Sequence, residues 1–149
     1  MSQTEKAIRT QVDESMSRIV AAGGRRTPSR QAIIDAIART DGHITAEEIA
    51  GRVQQQFASI NKSTVYRTLD ALTDAGVIEH VHFAHGPAVY HLNPDGHRHL
   101  YCEGCGAVTE LPPAKTRTFI AMLDRDYGFE VDQGHFAIVG RCADCRTRV

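Results

Sequence analysis

Residues 97–105 read His-Arg-His-Leu-Tyr-Cys-Glu-Gly-Cys, and residues 142–145 read Cys-Ala-Asp-Cys. A Cys-x-x-Cys pair sets two thiolates on one tight turn, and two such pairs supply the four soft ligands of a closed tetrahedral zinc site. Cys102, Cys105, Cys142 and Cys145 are all the cysteines of the chain, so the spacing predicts one four-cysteine zinc site that uses every thiol. His97 and His99 stand two apart on what reads as an extended segment, where alternate residues project to one face, so they offer two imidazoles to a separate metal. Two other readings compete with zinc. Disulfides need an oxidising compartment, and no apolar signal segment is read at the start, which makes a reducing cytoplasm the expected location. A thioredoxin-like dithiol needs a Cys-x-x-Cys that opens a helix in a βαβ unit, whereas here each pair reads as closing or following a short strand.

Outward from these stretches, 149 residues suffice for one medium domain or two small ones, and a small domain often needs a staple such as four cysteines around an ion. The 17 basic and 18 acidic residues cancel, so global charge gives no support to nucleic-acid binding and any DNA contact must come from local clusters. No apolar run approaches the roughly 20 residues that span a bilayer, and no membrane role is expected. Eight histidines are the compositional anomaly.

In the N-terminal half, Ile8, Val12, Met16, Ile19 and Val20 recur at helical spacing until Gly23-Gly24. Thr27-Pro28 reads as an N-cap followed by proline at the first position of a second helix through Ile33, Ile34 and Ile37. Thr45-Ala46-Glu47-Glu48 is a capping box opening a third helix to about Phe57. A fourth starts after Asn61, buries Val65, Leu69 and Leu72, and turns Lys62, Ser63, Thr64, Tyr66 and Arg67 outward, with no acid on that face before Asp70. Such a face suits a phosphate-lined groove or is an ordinary solvated helix face, and composition divides the two evenly. The following segments, 77–83 and 88–92, read as two strands joined by a turn at 84–87. Helices plus a hairpin make a winged helix-turn-helix, whose last helix enters a major groove. Asn93-Pro94-Asp95-Gly96 is a run of breakers. It sets the expected boundaries: a DNA-binding domain over 1–92, a hinge over 93–96 and a small domain over 97–149.

In that second half, 107–111 reads as a strand ended by Pro112-Pro113, and a helix follows with Phe119, Ile120 and Leu123 as its apolar stripe, to about Tyr127-Gly128. Phe129-Glu130-Val131 comes next, and 135–141 reads as a strand that delivers the chain to Cys142. The core is thin, zinc offsets the deficit, and an exposed sheet edge and helix invite a second copy of the chain. The expected fold class is α+β, a winged helix followed by a small α/β dimerisation domain with a four-cysteine zinc site.

These residues together resemble the ferric uptake regulator superfamily of metal-dependent repressors. The likeness rests on Thr27-Pro28-Ser29-Arg30, His43-Ile44-Thr45-Ala46-Glu47-Glu48, Ser63-Thr64-Val65-Tyr66-Arg67-Thr68-Leu69, Gly76-Val77-Ile78, His97-x-His99-Leu100 and the two Cys-x-x-Cys pairs. It implies a homodimer that binds palindromic double-stranded operators when metal is present. It also implies that Tyr66 and Arg67 touch DNA from the fourth helix and that Arg25 reaches a minor groove. The superfamily's inter-domain regulatory site maps onto His43, His91, His97, His99 and Glu110. In a second regulatory site of many members, the matching positions include Gly96, Arg98 and Arg117, which cannot serve, and only His135 remains. His80 and His82, alternating on the wing's first strand, offer a substitute set with His135, or else they are exposed wing residues near DNA phosphate.

An imidazole-rich set with little carboxylate suits nickel or zinc better than ferrous or manganous ions. The wing His-x-His, the His85-Gly86 turn and the strand at His135-Phe136-Ala137-Ile138 resemble the nickel-responsive branch, so the expectation is a nickel-sensing repressor of metal uptake or homeostasis genes. Full Cys-x-x-Cys pairs are more typical of the zinc- and iron-responsive branches, which form the alternative. A metal-dependent enzyme would need an acid or base beside an open ion, and only Glu110 stands near the histidines, without a nucleophile motif. A zinc-stabilised interaction module or metal store without DNA function is the other rival.

Overall fold

The computed structural model describes residues 3–83, 86–92, 96–132 and 137–147. Its elements are, in order, α1 (Gln3–Ala21), α2 (Pro28–Ala38), β1 (Ile44–Thr45), α3 (Ala46–Gln56), α4 (Lys62–Asp74), β2 (Ile78–His82), β3 (Ala88–Leu92), β4 (Arg98–Cys102), β5 (Val108–Leu111), α5 (Pro113–Tyr127), β6 (Ala137–Gly140) and α6 (Ala143–Thr147). They form two compact units. One comprises residues 1–80 and 89–92; the other comprises 81–88 and 93–149.

In the first unit the helix ends lie where the capping chemistry puts them. Thr27 accepts from the Arg30 N–H, with Pro28 opening α2, and Thr45 and Glu48 form the reciprocal capping box of α3. Asn61 caps α4 by accepting from the Thr64 N–H at 2.8 Å. Gly76, at φ +64°, takes the left-handed conformation that turns the chain out of α4 toward β2. The core is the meeting of apolar stripes: Met16 and Ile19 of α1, Ile33, Ile34 and Ile37 of α2, Ile49 and Val53 of α3, and Val65, Leu69 and Leu72 of α4 are all buried. Burying a side chain of this size contributes about 1.5–3 kcal/mol.

β1 has no counterpart in the sequence pattern. It pairs antiparallel with β3, in the register Ile44 to Tyr90 and Thr45 to Val89, and the sheet runs β1-β3-β2. Two residues are too few to show a period of two, so only pairing reveals the strand.

The second sheet has the order β5-β4-β6, with β4 antiparallel to β5 and parallel to β6. Its core is thin, as expected: among the described residues of α5 only Thr116 is buried. The predicted apolar stripe of Phe119, Ile120 and Leu123 is partly open, with Phe119 48% exposed and the other two half-buried, in keeping with the exposed helix expected of this half. Phe129–Val131 forms no strand, and β6 is described from Ala137 onward. The second Cys-x-x-Cys follows the short strand β6, as expected, and in addition opens a helix, the short α6.

Candidate metal centres and nucleic-acid interface

Strand register assembles the cysteine cluster. Parallel pairing of β4 with β6 sets Cys102 opposite Gly140, so the chain leaving β6 meets the end of β4 two residues later at Cys142. The Cys142 backbone N–H donates to Cys102 Sγ at 3.2 Å, and the Cys105 and Cys142 sulfurs lie 3.8 Å apart. All four sulfurs lie within 4.8 Å of one another. Four sulfurs about 2.3 Å from a tetrahedral ion stand about 3.8 Å apart, so the cluster has the dimensions of a zinc site.

The backbone around the sulfurs fits the same reading. A Cβ on Gly104 would lie 2.9 Å from Cys145 Cβ and 3.0 Å from its sulfur, so only glycine fits between the ligands of the first knuckle. The Cys142 N–H, helped by N–H groups of the first knuckle, draws the Cys102 thiol down to about 6. Contact with Cys142 first, and with the other sulfurs after it, pushes the Cys145 thiol up to about 12. Four crowded thiols therefore favour proton loss at one sulfur and resist it at another, and a dication removes that conflict by taking thiolates only. The donor set fits zinc in a structural role, and none of the thiols is in a disulfide.

The histidines assemble as two pairs, one in each unit. In the first unit, the β1–β3 register carried one residue further sets His43 across from His91, and their ring centroids lie 4.7 Å apart. In the second unit, His97 and His99 meet edge to face at 4.9 Å, as alternate residues on one face should. His99 pairs across the strands with Glu110, whose carboxylate comes within 3.6 Å of His97 Nε2. Glu110 is exposed, while His91 and His99 are buried.

The further set of His80, His82 and His135 is only partly described. His80 packs its ring 5.7 Å from that of Tyr90, and His82 is exposed, with Nδ1 3.4 Å from the Gly86 carbonyl. His85 and His135 lie outside the described residues.

The outward face of α4 is more structured than its sequence implied. Ser63 and Thr64 turn their hydroxyls onto the Asn61 side-chain carbonyl, at 2.7 and 2.9 Å, where they reinforce the cap. Lys62 is ion-paired with Glu47 at the start of α3. The face thus has an acid beside it after all, supplied by a neighbouring helix. Tyr66 and Arg67 are exposed, and Arg25 is exposed in the link between α1 and α2. No described helix is long and apolar enough to cross a membrane.

A helical, winged-helix-like region followed by a β-rich region with a four-cysteine cluster able to bind a metal defines the class. Residues 21–138 match the ferric uptake regulator family, and the chain belongs to that family. It is 26% identical over 148 residues to the peroxide-responsive repressor PerR of Staphylococcus aureus, covering 99% of this chain and all of that one. Its fold is similar to that of the ferric uptake regulator of Pseudomonas aeruginosa with manganese, at TM-score 0.66, 26% identity and coverage of 85% and 96% of the two chains. It is also similar to a zinc uptake regulator complexed with zinc and DNA, at TM-score 0.69, with coverage of 98% and 97%. At 22% identity that last likeness concerns the fold alone.

Proposed function

We propose that this protein is a metal-responsive, DNA-binding transcriptional repressor acting as a homodimer, whose regulatory ion is held by His43, His91, His97 and His99 with Glu110 beside them. The reading is carried by one observation: each unit on its own already brings two imidazoles to within about one ring of each other. An ion taking ligands from both pairs would join the two units across residues 93–96 and favour one spacing of the α4 helices of a dimer. To convert a largely open ensemble into a largely closed one, the ion must prefer the closed form by about 5 kcal/mol. Lys62, Ser63, Thr64, Tyr66, Arg67 and Arg25 are the proposed DNA-facing residues, of which Ser63 and Thr64 also serve the α4 cap and Lys62 is paired with Glu47.

The relatives described above at 26% identity are named for peroxide response and ferric uptake, which supports the alternative of a zinc- or iron-type response over the nickel response expected from the wing histidines. Between zinc and iron, imidazoles outnumbering carboxylates favour zinc as the softer, nitrogen-preferring ion. We therefore place zinc first and nickel second as regulatory ions. The test is operator binding under free-metal buffering. Duplexes are selected in vitro with metal-loaded protein, then titrated with apo-regulatory protein in parallel series of zinc, nickel, ferrous and manganous ions. Zinc-dependent binding at the lowest free-metal level is expected. Binding that ignores every metal overturns the repressor mechanism, and a lower threshold for nickel reverses the order of ions.

A further inference from the structure

Phe83, just past the end of β2, belongs to the second unit, which comprises 81–88 together with 93–149. Within that unit its side chain does something the family likeness leaves unassigned. Phe83 stacks on Tyr101 with centroids 5.0 Å apart and planes 11° from parallel, and it meets His99 at 5.8 Å with planes at 73°. His97, just before β4, and His99 and Tyr101 within it alternate along the chain, and the Phe83 ring contacts the latter two of this row.

Resting on the regulatory site just proposed, we propose that Phe83 is a positioning residue for His99: its ring, seated on Tyr101, fixes the plane of the His99 imidazole next to His97. A histidine side chain turns about two bonds, and a ligand whose ring plane is unset loses part of its binding energy to ordering. Offset-stacked and edge-to-face contacts hold ring planes as well as separations. Here the two kinds of contact act in series. Tyr101 sets Phe83, and Phe83 and His97 each meet the His99 ring near edge to face, at 73° and 74°. Outer-shell partners that hold a ligating histidine by hydrogen bonds change metal affinity about 10- to 100-fold when removed. A packed ring, which holds it less directionally, is expected at the low end of that range. Phe83 has no ligand atom, so it does not bind a metal itself.

The experiment uses full-length protein with its four-cysteine zinc in place and cobalt(II) as the probe of the histidine site, since cobalt absorbs in the visible according to its ligand geometry. Phe83→Ala is expected to weaken cobalt binding about tenfold and to alter its absorption bands, with zinc content and far-ultraviolet circular dichroism unchanged. Phe83→Trp is expected to restore affinity. Because the chain has no tryptophan, that ring should also report cobalt arrival by quenching. Phe83→Leu, which keeps bulk without a ring, serves if the alanine variant folds poorly, and it should bind weakly as well. Wild-type affinity and wild-type bands in both Phe83→Ala and Phe83→Leu would overturn the proposal alone. A wild-type protein that takes up no cobalt beyond the cysteine site, or that cannot be told from His99→Ala in its uptake, would overturn the regulatory-site reading and this inference together.

Discussion

His43 faces His91 with ring centroids 4.7 Å apart, because the two-residue strand after His43 pairs with the strand that ends beyond His91. One short register thus joins two positions far apart in the chain. If the pair holds half of the regulatory site, His91→Ala should abolish metal-enhanced DNA binding while leaving the metal-free protein folded. Fluorescence anisotropy of a labelled duplex under metal buffering measures it. An unchanged metal threshold would remove His91 from the ligand set.

The Gly104 position makes a sharper prediction for the zinc cluster. In Gly104→Ala the new methyl would lie 2.9 Å from Cys145 Cβ, so a ligand must move. Purified variant protein should contain well under one zinc per chain and melt at lower temperature, as should Cys142→Ser. Zinc analysis by mass spectrometry decides it, and full occupancy with an unaltered melting curve would show that the cluster tolerates the crowding. Acid should also strip this zinc, because protons compete for the same sulfurs.

Leu69 is fully buried in the stripe by which α4 holds to the core. Leu69→Ala should cost about 2–5 kcal/mol in urea unfolding. Asn61→Ala, which loses the cap, should cost about 1 kcal/mol. A larger loss at Asn61 than at Leu69 would mean that the helix is held chiefly by its end.

The capping box gives a pH dependence whose sign follows from its partners. The Thr45 backbone N–H, and then its hydroxyl, hold the Glu48 carboxyl below its ordinary value of 4.5. A carboxyl depressed on folding contributes stability that is fully present above its unfolded value and is lost as pH falls through the folded one. Stability should therefore decline on acidification below about pH 4.5, and Glu48→Gln should decline less steeply over the same range. Parallel acid limbs for the two proteins would contradict this.

Arg67 should act through phosphate or base edges. Arg67→Ala is expected to weaken operator binding and, if the contact is to phosphate, to reduce the salt slope of log K by about one. Lys62→Ala should do less, since that ammonium is already occupied by Glu47. Equal losses at the two positions would show that DNA displaces Glu47 at little cost.

Much of this molecule is legible in its residues alone. Caps at Thr27, Thr45 and Asn61, the stripe of Val65, Leu69 and Leu72, and the two Cys-x-x-Cys pairs are short-range signals. Each depends on residues within a turn or two of one another, where backbone geometry alone sets the neighbours. The apolar face of α5 is a stripe, as its spacing predicts, and a partly open one, since periodicity reports which residues share a face and not what covers it.

Register, by contrast, comes from the assembled fold. The pairing of His43 with His91 depends on a strand of two residues, the gathering of Cys102 and Cys142 on the parallel match of β4 with β6, and the place of Phe83 on its meeting with Tyr101 of β4. Lys62 has an acid beside it only because α3 begins next to α4. Each of these is a contact between distant segments, fixed by the summed burial of a whole core, and no local pattern of side chains encodes it.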